Sequence, residues 1–167
     1  MAENGKGNTL DSRIAMNPHR IVEYLRVPPE EFTKANLIKF MENNNIRMVN
    51  FRYVAGDGRL KTLSFPITCK AKLDRLLSTG ERVDGSSVFS FVDAASSDLY
   101  VIPRYRTAYV NPFSQVPAVD ILCSFYTSEG KLLPSSPENI LRRAHDEPCT
   151  VSQCLMGPSQ NVFRGAR

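Results

Sequence analysis

Two runs of alternating residues around a glycine turn constrain this chain more than any other feature. Between Ile46 and Val54, Val49, Phe51 and Tyr53 fall on one face and Met48, Asn50 and Arg52 on the other. That is the period of a strand with one buried side. Gly56-Asp57-Gly58 supplies the residues of a tight turn. Leu60 to Ile67 resumes the alternation, with Leu63, Phe65 and Ile67 facing inward. The pattern specifies a β-hairpin. A hairpin alone does not hide its apolar face from water, so the next segment must cover it. Cys69 to Thr79 changes to a helical period, with Leu73, Leu76 and Leu77 on one side. Gly80 stands where a left-handed C-cap is expected. A hairpin with a helix lying across it predicts an α+β fold, a mixed sheet with a packed helix.

Further elements flank this unit. Asn17-Pro18 reads as an N-cap followed by proline at the first helical position, opening a short helix to Arg26 that Pro28-Pro29 ends. Thr33 caps a second helix through Asn43, with Leu37, Phe40 and Met41 as its buried stripe. Leu99–Pro103, Thr107–Val110 and Val119–Tyr126 read as strands, and Cys123 sits among the apolar positions of the last as a small core residue. Ser136-Pro137-Glu138 starts a final helix that runs to about His145. Residues 1–16 are polar and read as a flexible leader, which leaves 17–145 as the domain. Residues 146–167 follow neither period. That atypical tail is expected to be truncated or frame-shifted.

Composition narrows the function. The net charge is +4, but Lys and Arg are scattered among Asp and Glu with no basic run, which argues against nucleic acid as a partner. No apolar stretch is long enough to span a membrane. Four cysteines without C-x-x-C spacing and two distant histidines make no zinc pattern. The expected compartment is the cytoplasm, and no metal site is expected.

Between the helix and the next strand lies Val83-Asp84-Gly85-Ser86-Ser87, followed by Ser97-Asp98-Leu99 and then Ile102-Pro103-Arg104. On composition alone this is a loop of turn-forming residues that carries two carboxylates. The ordered set of pieces resembles the N-terminal β-grasp (ubiquitin-like) domain of glutamine synthetases. There a Phe-Asp-Gly-Ser-Ser loop precedes Ser-Asp-Met and a strand ending in Met-Pro-Asp. The resemblance runs from about Asn36 to about His145. Val83, Arg104 and Ser124 depart from the family's Phe, Asp and frequent Asp.

The resemblance implies that Asp84 captures ammonium and accepts its proton, with Asp98 as a supporting carboxylate and Gly85, Ser86 and Ser87 shaping the loop. A carboxylate within hydrogen-bond reach of ammonium has both capacities. The resemblance also implies a homo-oligomer in which this loop completes the site on the catalytic domain of an adjacent subunit. ATP and Mg2+ or Mn2+ are implied for the full-length enzyme; no cofactor is expected in this chain, which is expected to be inactive alone. Val88, Phe89, Phe91 and Val92 are expected to lie exposed in that loop as a partner contact, and Arg82–Ser97 to be its least ordered internal segment. The alternative is a stand-alone β-grasp module that binds another protein.

Overall fold

The computed structural model describes residue 14, residues 17–92 and residues 98–146. The rest of the leader, the tail beyond 146 and the middle of the carboxylate loop lie outside the described residues.

Helix α1 (Arg20–Leu25) is capped by His19, whose Nδ1 accepts from the Val22 amide. Asn17 instead accepts from the His19 amide, so the helix begins later than Pro18 suggests. Helix α2 (Lys34–Asn43) starts at Thr33, whose hydroxyl accepts from the Asn36 amide, and buries Leu37, Ile38, Phe40 and Met41. The hairpin follows as β1 (Met48–Val54) and β2 (Leu60–Pro66). Helix α3 (Lys70–Thr79) buries Leu73, Leu76 and Leu77.

Gly80 ends α3 with φ 67° and ψ −153°. Its φ is positive, but its ψ takes it out of the left-handed helical region, so the expected cap geometry is corrected. The turn instead feeds the chain straight into β3 (Glu81–Asp84). A Cβ at Gly80 would overlap the Val101 carbonyl oxygen. Gly80→Ala is therefore expected to cost about 3 kcal/mol or more, combining backbone strain with a forced shift of a core strand. A urea melt of the variant measures it.

After β3 come a single helical turn, α4 (Gly85–Val88), and then β4 (Asp98–Pro103), β5 (Tyr109–Val110) and β6 (Ala118–Thr127). Residues Tyr105–Thr107, expected to begin a strand at Thr107, form a 3-10 turn instead. Thr107 Oγ1 donates to the Arg104 carbonyl at 2.7 Å and accepts from the Leu122 amide at 3.0 Å. Its side chain thereby takes the place of a strand bond. Helix α5 (Pro137–Asp146) closes the described chain.

Among the described residues six strands form one sheet in the order β2-β1-β6-β4-β3, with β5 also paired to β6. β1 and β6 are parallel; the other pairs are antiparallel. This is the mixed sheet of an α+β β-grasp domain. One face is the core: Val49, Phe51, Val101, Val119 and Ile121 are fully buried there, under the leucines of α3. The opposite face is more open. Tyr100, Val54 and Leu60 are exposed on it, and α5 docks against it through Glu138. Cys123 lies in the core, where burial pushes its thiol well above the ordinary range. That is an inert packing residue.

Candidate functional site

The register of β3 on β4 brings the two candidate carboxylates together. Asp84 and Asp98 are direct cross-strand partners, two residues on from the Arg82 and Tyr100 pair. Side chains two apart share a face, so all four belong to the open face. Asp84 is thus a strand terminus rather than a mid-loop residue; of the segment expected to be least ordered, 82–92 starts as strand and helical turn and 93–97 lie outside the described residues.

Opposed carboxylates repel, and the surrounding groups offset this. Arg82 grips Asp98 from the neighbouring position, with Nε at 2.9 Å and a terminal nitrogen at 2.8 Å from the same oxygen. Asp84 acts as the N-cap of α4: its Oδ1 accepts from the Ser86 amide at 3.0 Å and the Ser86 hydroxyl at 2.8 Å. Ser87 donates to the Asp84 carbonyl at 2.7 Å. Gly85 is buried inside the turn. Gly85, Ser86 and Ser87 therefore wrap Asp84 and fix the direction of its carboxylate. An ionised carboxylate is an acceptor only, so the chemistry open to it is to bind a cation and take a proton.

Aromatic packing anchors the far side of that turn. Phe89 is buried, not exposed. It stacks on Phe91 at 5.0 Å and meets Phe125 edge-on at 4.9 Å, and Tyr53 stands 6.4 Å away. Phe91 remains 48% exposed and leans on the hairpin turn, where a Cβ at Gly56 would sit 3.2 Å from its ring. The predicted apolar contact surface thus reduces to Phe91 with half-buried Val88 and Val92. Phe89→Ala is expected to destabilise the fold by about 3–5 kcal/mol, since the cavity would open between Tyr53 and Phe125. Thermal unfolding monitored by near-ultraviolet dichroism reads it.

Two further clusters on the open face escaped the sequence reading. Asp120 is fully buried and accepts from Asn50 Nδ2 at 2.7 Å, Asn111 Nδ2 at 3.1 Å and the Tyr109 hydroxyl at 3.3 Å, with Arg52 at 3.6 Å. Burial and then the Asp120 charge push the Tyr109 phenol upward. In the second cluster Glu138 Oε1 takes Arg104 at 3.0 Å, Arg142 at 2.7 Å and the Ser124 hydroxyl at 3.0 Å. The departures at Arg104 and Ser124 therefore act together: a guanidinium and a neutral hydroxyl accept a glutamate from α5 where two acids would repel it. Arg142, one turn along α5, completes this pairing.

Among the described residues no three His, Cys, Asp or Glu side chains converge as a metal site, and no helix is long and apolar enough to cross a membrane. Residues 45–128, about half of the chain, match the β-grasp domain of glutamine synthetase. The chain belongs to the glutamine synthetase β-grasp family. A glutamine synthetase from Haemophilus influenzae is 29% identical over 133 residues, which cover 77% of this chain and 28% of that protein. One from Methanococcus maripaludis is 29% identical over 134 residues, 75% of this chain and 30% of that protein. The chain thus spans less than a third of the glutamine synthetases it matches. The Plasmodium falciparum glutamine synthetase structure superposes with a TM-score of 0.55 at 19% identity, covering 67% of this chain and 22% of that one. That likeness shows the fold.

Proposed function

We propose that this chain is the amine-site half of a glutamine synthetase-like ligase, joining ammonia to glutamate at the expense of ATP. Its role is to present Asp84, backed by Asp98, to the catalytic domain of an adjacent subunit in a homo-oligomer. The observation that carries this reading is the Asp84–Asp98 cross-strand pair, exposed on one face within the family-matched region. In the proposed cycle the catalytic domain binds ATP, glutamate and Mg2+ or Mn2+, and forms a γ-glutamyl phosphate. Asp84 holds ammonium and removes its proton; the ammonia formed attacks the acyl carbon, the C–O bond to phosphate breaks, and inorganic phosphate and a proton leave the new amide. Arg82 and Asp98 act behind it: the guanidinium, held on Asp98, offsets the repulsion between the two opposed carboxylates. Cytoplasmic work fits cysteines without paired spacing.

The chain alone is expected to form no glutamine and hydrolyse no ATP, because phosphoryl transfer needs metal and phosphate clamps. Grafting residues 17–145 in place of the β-grasp domain of the Haemophilus influenzae glutamine synthetase is expected to give an enzyme that forms glutamine. A graft that assembles and forms the acyl phosphate, yet never glutamine, refutes the reading.

A further inference from the structure

A cleft at the other end of the sheet carries charge that the carboxylate pair does not use. Asp84 and Asp98 sit where β1 and β6 finish; the cleft opens where these strands begin. It has two lobes that share Arg20, Phe40 and Asn44. One, of about 300 Å³, runs under the β5–β6 connection past Ser114 and Gln115. The other, of about 420 Å³, lies along α1 and takes in Glu23, Tyr24 and Arg26. Volumes of this order hold a small molecule.

Among the described residues neither the Arg20 nor the Arg26 guanidinium has a hydrogen-bond or ion-pair partner. Arg52, Arg75, Arg82, Arg104 and Arg142 each meet a carboxylate; Arg47, Arg59, Arg106 and Arg143 are likewise without a side-chain partner among the described residues, but Arg20 and Arg26 are the two that line one cleft. Among the described residues Glu23 is the one acid on the walls against these two cations, so their balance is positive. Arg26 also stands in a conformation that disfavours it. It follows the last turn of α1 with φ 56° and ψ 33°, a left-handed position that glycine or asparagine fills with less strain.

The wall between the arginines is aromatic and fixed. Tyr24 packs edge-on against Phe40 at 5.4 Å, its hydroxyl accepts from Asn43 Nδ2 at 2.6 Å, and 40% of the residue stays exposed. An apolar or planar body can rest on it while the guanidinium forks take an oxyanion. Arginine matches phosphate and carboxylate groups alike, with two parallel N–H donors. We infer that this cleft binds a small organic anion through its phosphate or carboxylate group, with Arg20 and Arg26 as the cationic ligands. The site is separate from the carboxylate pair and does not depend on the ammonium role.

The test titrates the purified full chain with sodium pyrophosphate and with sodium succinate, by calorimetry at ionic strength held constant with sodium chloride. Saturable one-site binding of at least one probe is expected. Pyrophosphate alone identifies a phosphate site, succinate alone a carboxylate site, and both an oxyanion site of either kind. Arg20→Gln and Arg26→Gln are each expected to weaken binding about tenfold, the size of one lost charge-assisted hydrogen-bond pair. Arg59→Gln, an exposed arginine of the hairpin turn, is expected to leave it unchanged. Arg26→Gly separates ligand binding from fold: it should raise the melting temperature by relieving the left-handed strain, and still lose binding. No saturable binding of either probe overturns the proposal. So does binding that survives both glutamine variants, or that falls equally with Arg59→Gln.

Discussion

Asp84→Asn in the grafted full-length enzyme is expected to lower glutamine formation by about 10²- to 10⁴-fold at neutral pH, the range of a general-base contribution. Asparagine keeps an Oδ1 that accepts from the Ser86 amide and hydroxyl, as Asp84 does at 3.0 and 2.8 Å. The helical turn and the β3–β4 register should therefore survive. What disappears is the negative charge that holds ammonium and the basic oxygen that takes its proton. Formation of the acyl phosphate should continue, because its groups belong to the catalytic domain. The two half-reactions are read side by side, with trapping of the acyl phosphate next to overall synthesis and oligomer mass measured in the same sample. Synthesis near the parent rate would reduce Asp84 to a turn former.

Asp120→Ala is expected to cost about 3–5 kcal/mol of stability, the usual cost of removing one partner from a buried charged cluster. Total stabilities of such domains run at about 5–15 kcal/mol, so the variant should stand near the edge of unfolding. The side chain is fully buried and collects Asn50, Arg52, Tyr109 and Asn111 from β1, β5 and the connection after β5. Its loss strands several donors and frees the Asn111 turn. Asp120→Asn should cost less, since it retains an acceptor for Asn50. Denaturant melts of the two variants make the comparison. Equal stability of Asp120→Ala and the parent would show that the cluster is bypassed by water.

Local patterns in the sequence carried the fold because they are local in the protein too. The alternation of Val49, Phe51 and Tyr53, the Thr33 cap and the leucines of α3 each depend on neighbours within one turn or strand. What sequence left hidden depends on strand pairing. Asp120 falls at a polar phase of β6 and reads as solvent-facing. It becomes buried only because β1 pairs parallel to β6 and sets Asn50 beside it. Phe89 follows the same rule: in sequence it sits among Gly and Ser residues, yet the sheet delivers Phe125 and Tyr53 to it. The site was half legible. Asp84 and Asp98 were identified by motif, and their direct opposition across β3 and β4 needed the register. The roles of Arg104 and Ser124 needed Glu138, which comes from a helix beyond the sheet.

The measurement that bears most directly on the central claim is complementation between subunits. One grafted enzyme carries Asp84→Asn. The other keeps Asp84 but has its catalytic domain inactivated in the acyl-phosphate step. Each alone should be nearly inactive. If this domain lends its carboxylate to the neighbour, mixed oligomers will place an intact Asp84 beside an intact catalytic domain at some interfaces. Glutamine synthesis should then return on dissociating and reassembling the two together, in proportion to such interfaces. Mixed oligomers that form, as shown by mass, and stay as inactive as either parent would contradict the account.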